Sequence, residues 1–245
     1  MSIIKTAIFV DAAFFIKRAI PVFGKLEAKD LADKLWQFCL YHAYPNIEDK
    51  GDWRKLSKAQ RDKKFCEALD NLYRIFVYDC PPLEKSLYHP FLKKDVNFRL
   101  SERSVWRKNF HTELKTKRKV ALRLGHIDDV NLSWGIAYDK IKALCNGAIA
   151  LADLTEEDFF LNARQKGVDM RIGTDIASVA FKKQAARIVL VSGDSDFVPA
   201  AKLARREGMD FILDPMHSPI KADLQEHIDG KRTVFPKPVK RPKAK

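Results

Sequence analysis

Residues 187–213, RIVLVSGDSDFVPAAKLARREGMDFIL, carry the reading that decides the fold. Arg187 to Ser192 (RIVLVS) is a short, β-branched and almost continuously apolar run, as expected of a strand covered on both faces of a parallel sheet. Phe197 to Glu207 is predicted to be a helix stopped by Gly208, and Met209 to Leu213 (MDFIL) the next strand. Working outward, the spacing predicts a strand over Val168 to Ile172 and a helix over Thr174 to Lys183. At the other end of the chain, Ile3 to Val10 (IIKTAIFV) reads as a buried strand ending abruptly at Asp11. A helical stretch follows from about Ala12, and Asp30 to Tyr44 repeats apolar residues at Leu31, Leu35, Phe38 and Tyr41 until Pro45 stops it. Lys55 to Leu72 is predicted helical, and Arg74 to Tyr78 (RIFVY) is a further strand closed by Asp79 and Cys80-Pro81-Pro82. Alternating strands and helices at this spacing define a doubly wound α/β protein with a parallel sheet of about five strands and right-handed crossovers.

From Leu83 to about Lys166 the pattern loosens. Residues 84–165 are read as an inserted, basic and mostly helical element, with a helix over Leu154 to Arg164 begun by a Thr155 cap. The chain carries a net charge of +13, and its distribution is informative. Residues 50–119 hold 19 Lys/Arg against 9 Asp/Glu, residues 231–245 add 7 basic residues, and the remainder is left mildly acidic. A basic surface around an acidic centre is what a protein holding a polyanion against a metal-binding site requires. Within the insertion, Arg103, Arg107, Lys108, Lys115, Lys117, Arg118 and Lys119 are candidate phosphate contacts, with Trp106 or Phe110 as stacking platforms. The spacing of those two aromatics at i and i+4 equally fits the core face of a helix.

The 46% apolar content fills a core, and no apolar run approaches the length of a membrane span. Cys39, Cys66, Cys80 and Cys145 form no CxxC pair, which removes a zinc knuckle and a thioredoxin-like motif. A reduced, cytoplasmic protein is expected. Residues 1–230 are expected to form one domain and the Lys/Pro tail at 231–245 to be disordered. There is no GxGxxG, GxxxxGK[ST] or GxSxG motif.

In open α/β sheets the functional crevice lies at the carboxyl ends of the strands. Reading the residues that follow each strand collects aspartates: Asp11, Asp194 and Asp196, with Asp175 in the first turn of a predicted helix and Asp79 and Asp169 near strand ends. Each has a local alternative as a helix cap or first-turn acid. Their joint occurrence is not explained by capping. Converging carboxylates repel and raise one another's pKa unless a cation compensates, and a hard ion with oxygen ligands, Mg²⁺ or Mn²⁺, suits a site without a compact His/Cys set.

At this point IFVDAAFF, KGVDMRIGTDIASVAF and IVLVSGDSDFVPAAKLARREG resemble the NYN domain, a branch of the PIN-like ribonucleases. The resemblance implies a three-layer α/β/α PIN-like sandwich, a Mg²⁺ or Mn²⁺ site and cleavage of RNA. By motif position the family's acidic quartet falls on Asp11, Asp175, Asp194 and Asp196, with Ser192 and Asp169 as supporting polar groups. Many relatives carry an asparagine three residues after the first aspartate; Phe14 stands there in this chain. A catalytically weak RNA-binding protein is therefore kept as the alternative, and DNA stays open as a substrate. A phosphatase of the haloacid dehalogenase type would want a second aspartate where Ala13 stands.

Overall fold

The computed structural model describes residues 5–44 and 57–237. The starts of the predicted segments at Ile3 and Lys55, the Pro45 stop and the last eight residues of the tail lie outside them.

Six parallel strands form the central sheet: β1 (Thr6–Asp11), β2 (Leu72–Asp79), β5 (Val120–Leu124), β10 (Arg187–Val191), β11 (Asp210–Asp214) and β12 (Gly230–Lys231). Their spatial order is β12-β11-β10-β1-β2-β5, so β1 lies at the centre with β10 and β2 on either side. The alternation of side chains sorts the core into two layers. Ile8, Val10, Ile75, Val77, Val189 and Val191 face helices α1 (Ala12–Phe23), α2 (Ala28–Ala43), α3 (Lys58–Asn71) and α4 (Glu102–Thr116). Ala7, Phe9, Phe76, Tyr78, Ile188 and Leu190 face the helix over Val168–Phe181 and the helices over Val198–Arg206 and Ala222–Glu226. The period of two along each strand, buried on both sides, is what makes the strand sequences nearly uniformly apolar. The result is the expected α/β/α sandwich.

Several local expectations change. The predicted strand at Val168–Ile172 and helix at Thr174–Lys183 are one helix, Val168–Phe181. Val168, Met170 and Ile172 look like an alternating strand, but Val168, Ile172, Ile176, Val179 and Ala180 are the buried positions, spaced for a helix, and Met170 is 77% exposed. Gly173 lies inside this helix, at a cost of only about 1 kcal/mol relative to alanine. Leu154–Arg164 is not a helix but a 3₁₀ turn at Glu156–Asp158 leading into β8 (Phe159–Asn162), which pairs with β7 (Ser133–Ile136). Thr155 stands at the start of that turn, and its backbone N–H and hydroxyl both donate to the Asp158 carboxylate.

Residues 84–165 are likewise not one helical insertion. Helix α4 lies on α2 and supplies Phe110 and Leu114 to the core, and β5 extends the main sheet beside β2. What stands outside the layers is the hairpin of β3 (Ser86–His89) and β4 (Lys94–Asn97). With it goes a lobe over 126–166, holding β6 (His126–Ile127), β7, α5 (Tyr138–Cys145), β8 and β9 (Gln165–Lys166). The charge divides the same way: residues 98–125 hold 9 basic and 2 acidic residues, whereas 126–166 hold 4 basic and 7 acidic. The basic character therefore belongs to a helix and edge strand of the sandwich. At the C-terminal end the sandwich runs past residue 230, because β12 pairs with β11 and Phe235 packs among Phe15, Phe23 and Phe38.

Candidate metal centre

The helix over Val168–Phe181 is α6, that over Val198–Arg206 is α7 and that over Ala222–Glu226 is α8. Because β1 and β10 are adjacent and parallel, their carboxyl ends deliver Asp11 and the Ser192–Phe197 turn to one place. Asp11 closes β1 and caps α1, its Oδ1 accepting the Phe14 N–H at 3.0 Å. Asp194, rather than Asp196, is the cap of the turn that opens α7, with Oδ1 accepting the Asp196 N–H at 3.1 Å. The Ser192 hydroxyl, buried at the end of β10, accepts the Asp194 N–H at 3.2 Å. Asp169 is the acid in the first turn of α6.

Electrostatics ties these groups together. Burial raises the Asp11 carboxyl above its ordinary range, and the charges of Asp169 and Asp79 push it further against the opposing backbone bonds from Phe14 and Ala13. Asp169 is raised by burial and then by Asp194 and Asp196. Local capping consumes one oxygen each of Asp11 and Asp194 and accounts for their rotamers. It does not account for the raising of Asp11 by Asp169, or of Asp169 by Asp194 and Asp196.

Asp175 does not join them. Placing it on the same helix as Asp169 but six residues on turns it to a different side, where it accepts the Tyr78 hydroxyl at 2.8 Å and lies 3.4 Å from Arg123 Nε. Asp79 is fully buried and takes up other partners: its own Cys80 N–H at 2.8 Å, His111 Nε2 at 2.7 Å and Arg107 at 3.3 Å. Neither commitment is visible in sequence, since Tyr78, Arg107, His111 and Arg123 are distant from the acids they hold. Phe14 lies with its ring against Gly193: a Cβ built there would meet Phe14 Cε2 at 2.9 Å. An apolar ring thus fills the neighbourhood in which the resemblance implies an asparagine.

The donor chemistry fits a hard divalent ion, being all carboxylate oxygen in a place that disfavours uncompensated negative charge. Among the described residues, no three His, Cys, Asp or Glu side chains stand in the arrangement of a metal-holding group.

The expected phosphate-tracking residues have mostly internal roles. Trp106 stacks on Phe110 at 5.3 Å and donates its indole N–H to the Leu26 carbonyl at 2.9 Å, which makes it part of the α2–α4 contact and not an open platform. Lys117 bonds Asp33, Lys108 pairs with Glu84 at 2.8 Å, and Lys119 donates to the Leu69 and Leu72 carbonyls at 2.6 Å. Arg103, Lys115 and Arg118 stay exposed. Replacing Trp106 by alanine is expected to cost about 2–3 kcal/mol in urea unfolding, less than a fully buried aromatic, and to leave the salt dependence of RNA binding unchanged.

The fold is a three-layer α/β/α sandwich with acids at the carboxyl edge of its sheet. Residues 136–228 match the family model described as NYN domain. No curated protein matches the chain. A crystal structure of a protein of unknown function from Vibrio parahaemolyticus is similar over 94% of this chain and 93% of that one, with 14% identity and a TM-score of 0.41. No helix among the described residues is long and apolar enough to cross a membrane.

Proposed function

We propose that this protein is a metal-dependent ribonuclease that hydrolyses RNA phosphodiester bonds at the cluster of Asp11, Asp169, Asp194 and Asp196. The observation that carries this reading is that these acids come from three separate stretches to one sheet edge, where burial and then neighbouring carboxylates raise Asp11 and Asp169 above the ordinary range. A half-buried Asp11 beside three exposed carboxylates is an arrangement that a bound cation would relieve. Mg²⁺ or Mn²⁺, held by these four residues, would supply charge neutralisation and an acidified water at the phosphorus.

The protein's own part is positioning. The Phe14 and Asp196 N–H groups fix the rotamers of Asp11 and Asp194, and Ser192 braces the turn between them. Asp175 steadies α6 against β2 through Tyr78 and supports Asp169 from within the helix. Phe14 favours a second reading, an RNA-binding protein whose crevice cuts slowly or not at all, because a ring lies where a polar group would help to position water.

A metal titration separates the two. With Mn²⁺ or Mg²⁺ the protein is expected to cut single-stranded RNA to products with 5′-phosphate and 3′-hydroxyl ends, EDTA to stop it, and Asp194→Asn to slow it at least about a hundredfold. RNA that binds but stays intact with Mn²⁺ present establishes the second reading, and cyclic phosphate ends exclude the first. Parallel DNA substrates decide the sugar preference. The free thiols of Cys39, Cys66, Cys80 and Cys145 suit a reducing compartment, and the cytoplasm is the proposed location.

A further inference from the structure

The carboxyl edge of the sheet is polarised. Acids occupy the ends of β1 and β10, but near the ends of β2 and β5 stand Arg107, His126 and Arg171, basic side chains that the proposed chemistry leaves unused. Arg107 reaches this edge from α4, held by Asp79, whose neighbour Cys80 begins the segment after β2. A Cβ on Gly125, just past β5, would stand 3.1 Å from the Cys80 sulfur and 2.7 Å from the Lys166 carbonyl oxygen, so these three segments meet with no space between backbones. Gly167 comes next, in a left-handed conformation with φ +79°, and its missing Cβ would lie 3.9 Å from both Arg171 Nε and His126 Nδ1. Arg107 and Arg171 both bear on the Cys80 thiol, opposing the rise that burial and Asp79 impose on it.

The availability of these side chains differs in a telling way. Lys166 is neutralised by Asp128 at 2.6 Å, and Arg107 uses one edge of its guanidinium on Asp79. Arg171 and His126 have no ion pair among the described residues and are exposed. Asp169 and Arg171, two positions apart on α6, project on nearly opposite sides of its first turn. The same turn thereby serves the acidic half of the crevice with one residue and the cationic half with the other.

We propose that Arg107, His126 and Arg171 form a phosphate cradle that holds a non-scissile phosphodiester of a polynucleotide, setting the direction in which the strand crosses the carboxylates. The cradle rests on the nuclease reading for its purpose but not for its test. Arg107 is pre-oriented by Asp79 and His111, which lowers the cost of ordering its fork around a phosphate. Arg171 and His126 close over the ligand from the opposite side of Gly167.

The test is metal-free binding. A short fluorescein-labelled oligouridylate is titrated with the full chain in EDTA across a salt series, so that nothing is cut and no ion bridges the acids. Arg171→Gln is expected to weaken binding about tenfold at low salt and to reduce the slope of log K against log salt by about 0.7, the value of one lost single-strand phosphate contact. Arg171→Gln with His126→Gln should weaken binding further. Arg206→Gln, an exposed change at the end of α7 where the chain turns toward the opposite edge of the sheet, should change neither quantity. Affinity and slope unchanged in both cradle variants overturn the proposal, as does equal weakening by Arg206→Gln or failure of the wild type to bind. An oligodeoxyuridylate arm should give the same slope change, since the cradle reads phosphate. If Asp194→Asn cuts as well as the wild type, the nuclease reading fails while the cradle still stands or falls on these slopes.

Discussion

Asp11→Asn is expected to abolish metal-dependent RNA cleavage while giving a protein that melts at a higher temperature than the wild type at neutral pH. The fold tolerates the change because asparagine caps a helix as well as aspartate does, so the bond from the Phe14 N–H that starts α1 survives. What is lost is a charge that burial, Asp169 and Asp79 all disfavour. The sign follows from linkage. The folded carboxyl holds its proton above the ordinary value of 3.8, so the folded state binds more protons than the unfolded one in the window above 3.8. Stability contributed by Asp11 is complete below that value and declines as pH rises through the folded pKa. Asparagine does not titrate, and the variant escapes the decline.

Divalent ion should reverse the order. Mg²⁺ added to the wild type compensates the repulsion and raises its Tm by mass action, with a smaller rise in the variant. Losing one oxygen donor is expected to remove about 4 kcal/mol of transition-state stabilisation, roughly three orders of magnitude in rate. Matched thermal melts at acid and neutral pH, with and without Mg²⁺, check the stability half, and single-turnover cleavage checks the other. A variant that cuts at the wild-type rate, or that melts below the wild type at neutral pH in EDTA, contradicts this account.

The parts of this architecture that could be read from residues were those in which local pattern and tertiary role coincide. IFVDAAFF and RIVLVSGDSDF are strands buried on both faces, and the turn after each is set by an aspartate or a glycine, so both the elements and the acids at their ends were legible. The VDMRIGTD stretch was not, because its two periodicities compete over five residues and only the contacts of Ile176 and Val179 with the far layer decide between them. That one misreading placed Asp175 in the first turn of a helix, where Asp169 is the first-turn acid. Basic residues misled for a related reason. Charge counts report how many cations a segment has and not where they point, and Lys117 and Lys119 are spent on Asp33 and backbone carbonyls. Arg171 and His126 carried no signal at all, since their proximity arises only from the close approach of the segments around Gly125 and Gly167.

Asp79→Ala is expected to be the most destabilising single change near the crevice, lowering the free energy of unfolding by about 3–5 kcal/mol. Its side chain is 0% exposed and accepts three donors, from Cys80 N–H, His111 Nε2 and Arg107. Truncation leaves all three without their acceptor in a place closed to water, and the guanidinium, only 13% exposed, keeps its charge with no counterion beside it. Asp79→Asn separates the two penalties: the amide oxygen can still accept from the backbone, so the loss should fall between that of alanine and zero. Urea unfolding followed by circular dichroism measures both, with an unchanged m-value showing that the folded state is still compact. A loss under about 1 kcal/mol for the alanine variant would mean that the group's desolvation cancels its bonds, as some buried ion pairs do. The expected larger loss would mean that this carboxylate, which the sequence presents as one more acid at a strand end, anchors α4 to the sheet and thereby holds Arg107 at the edge where a phosphate chain can meet it.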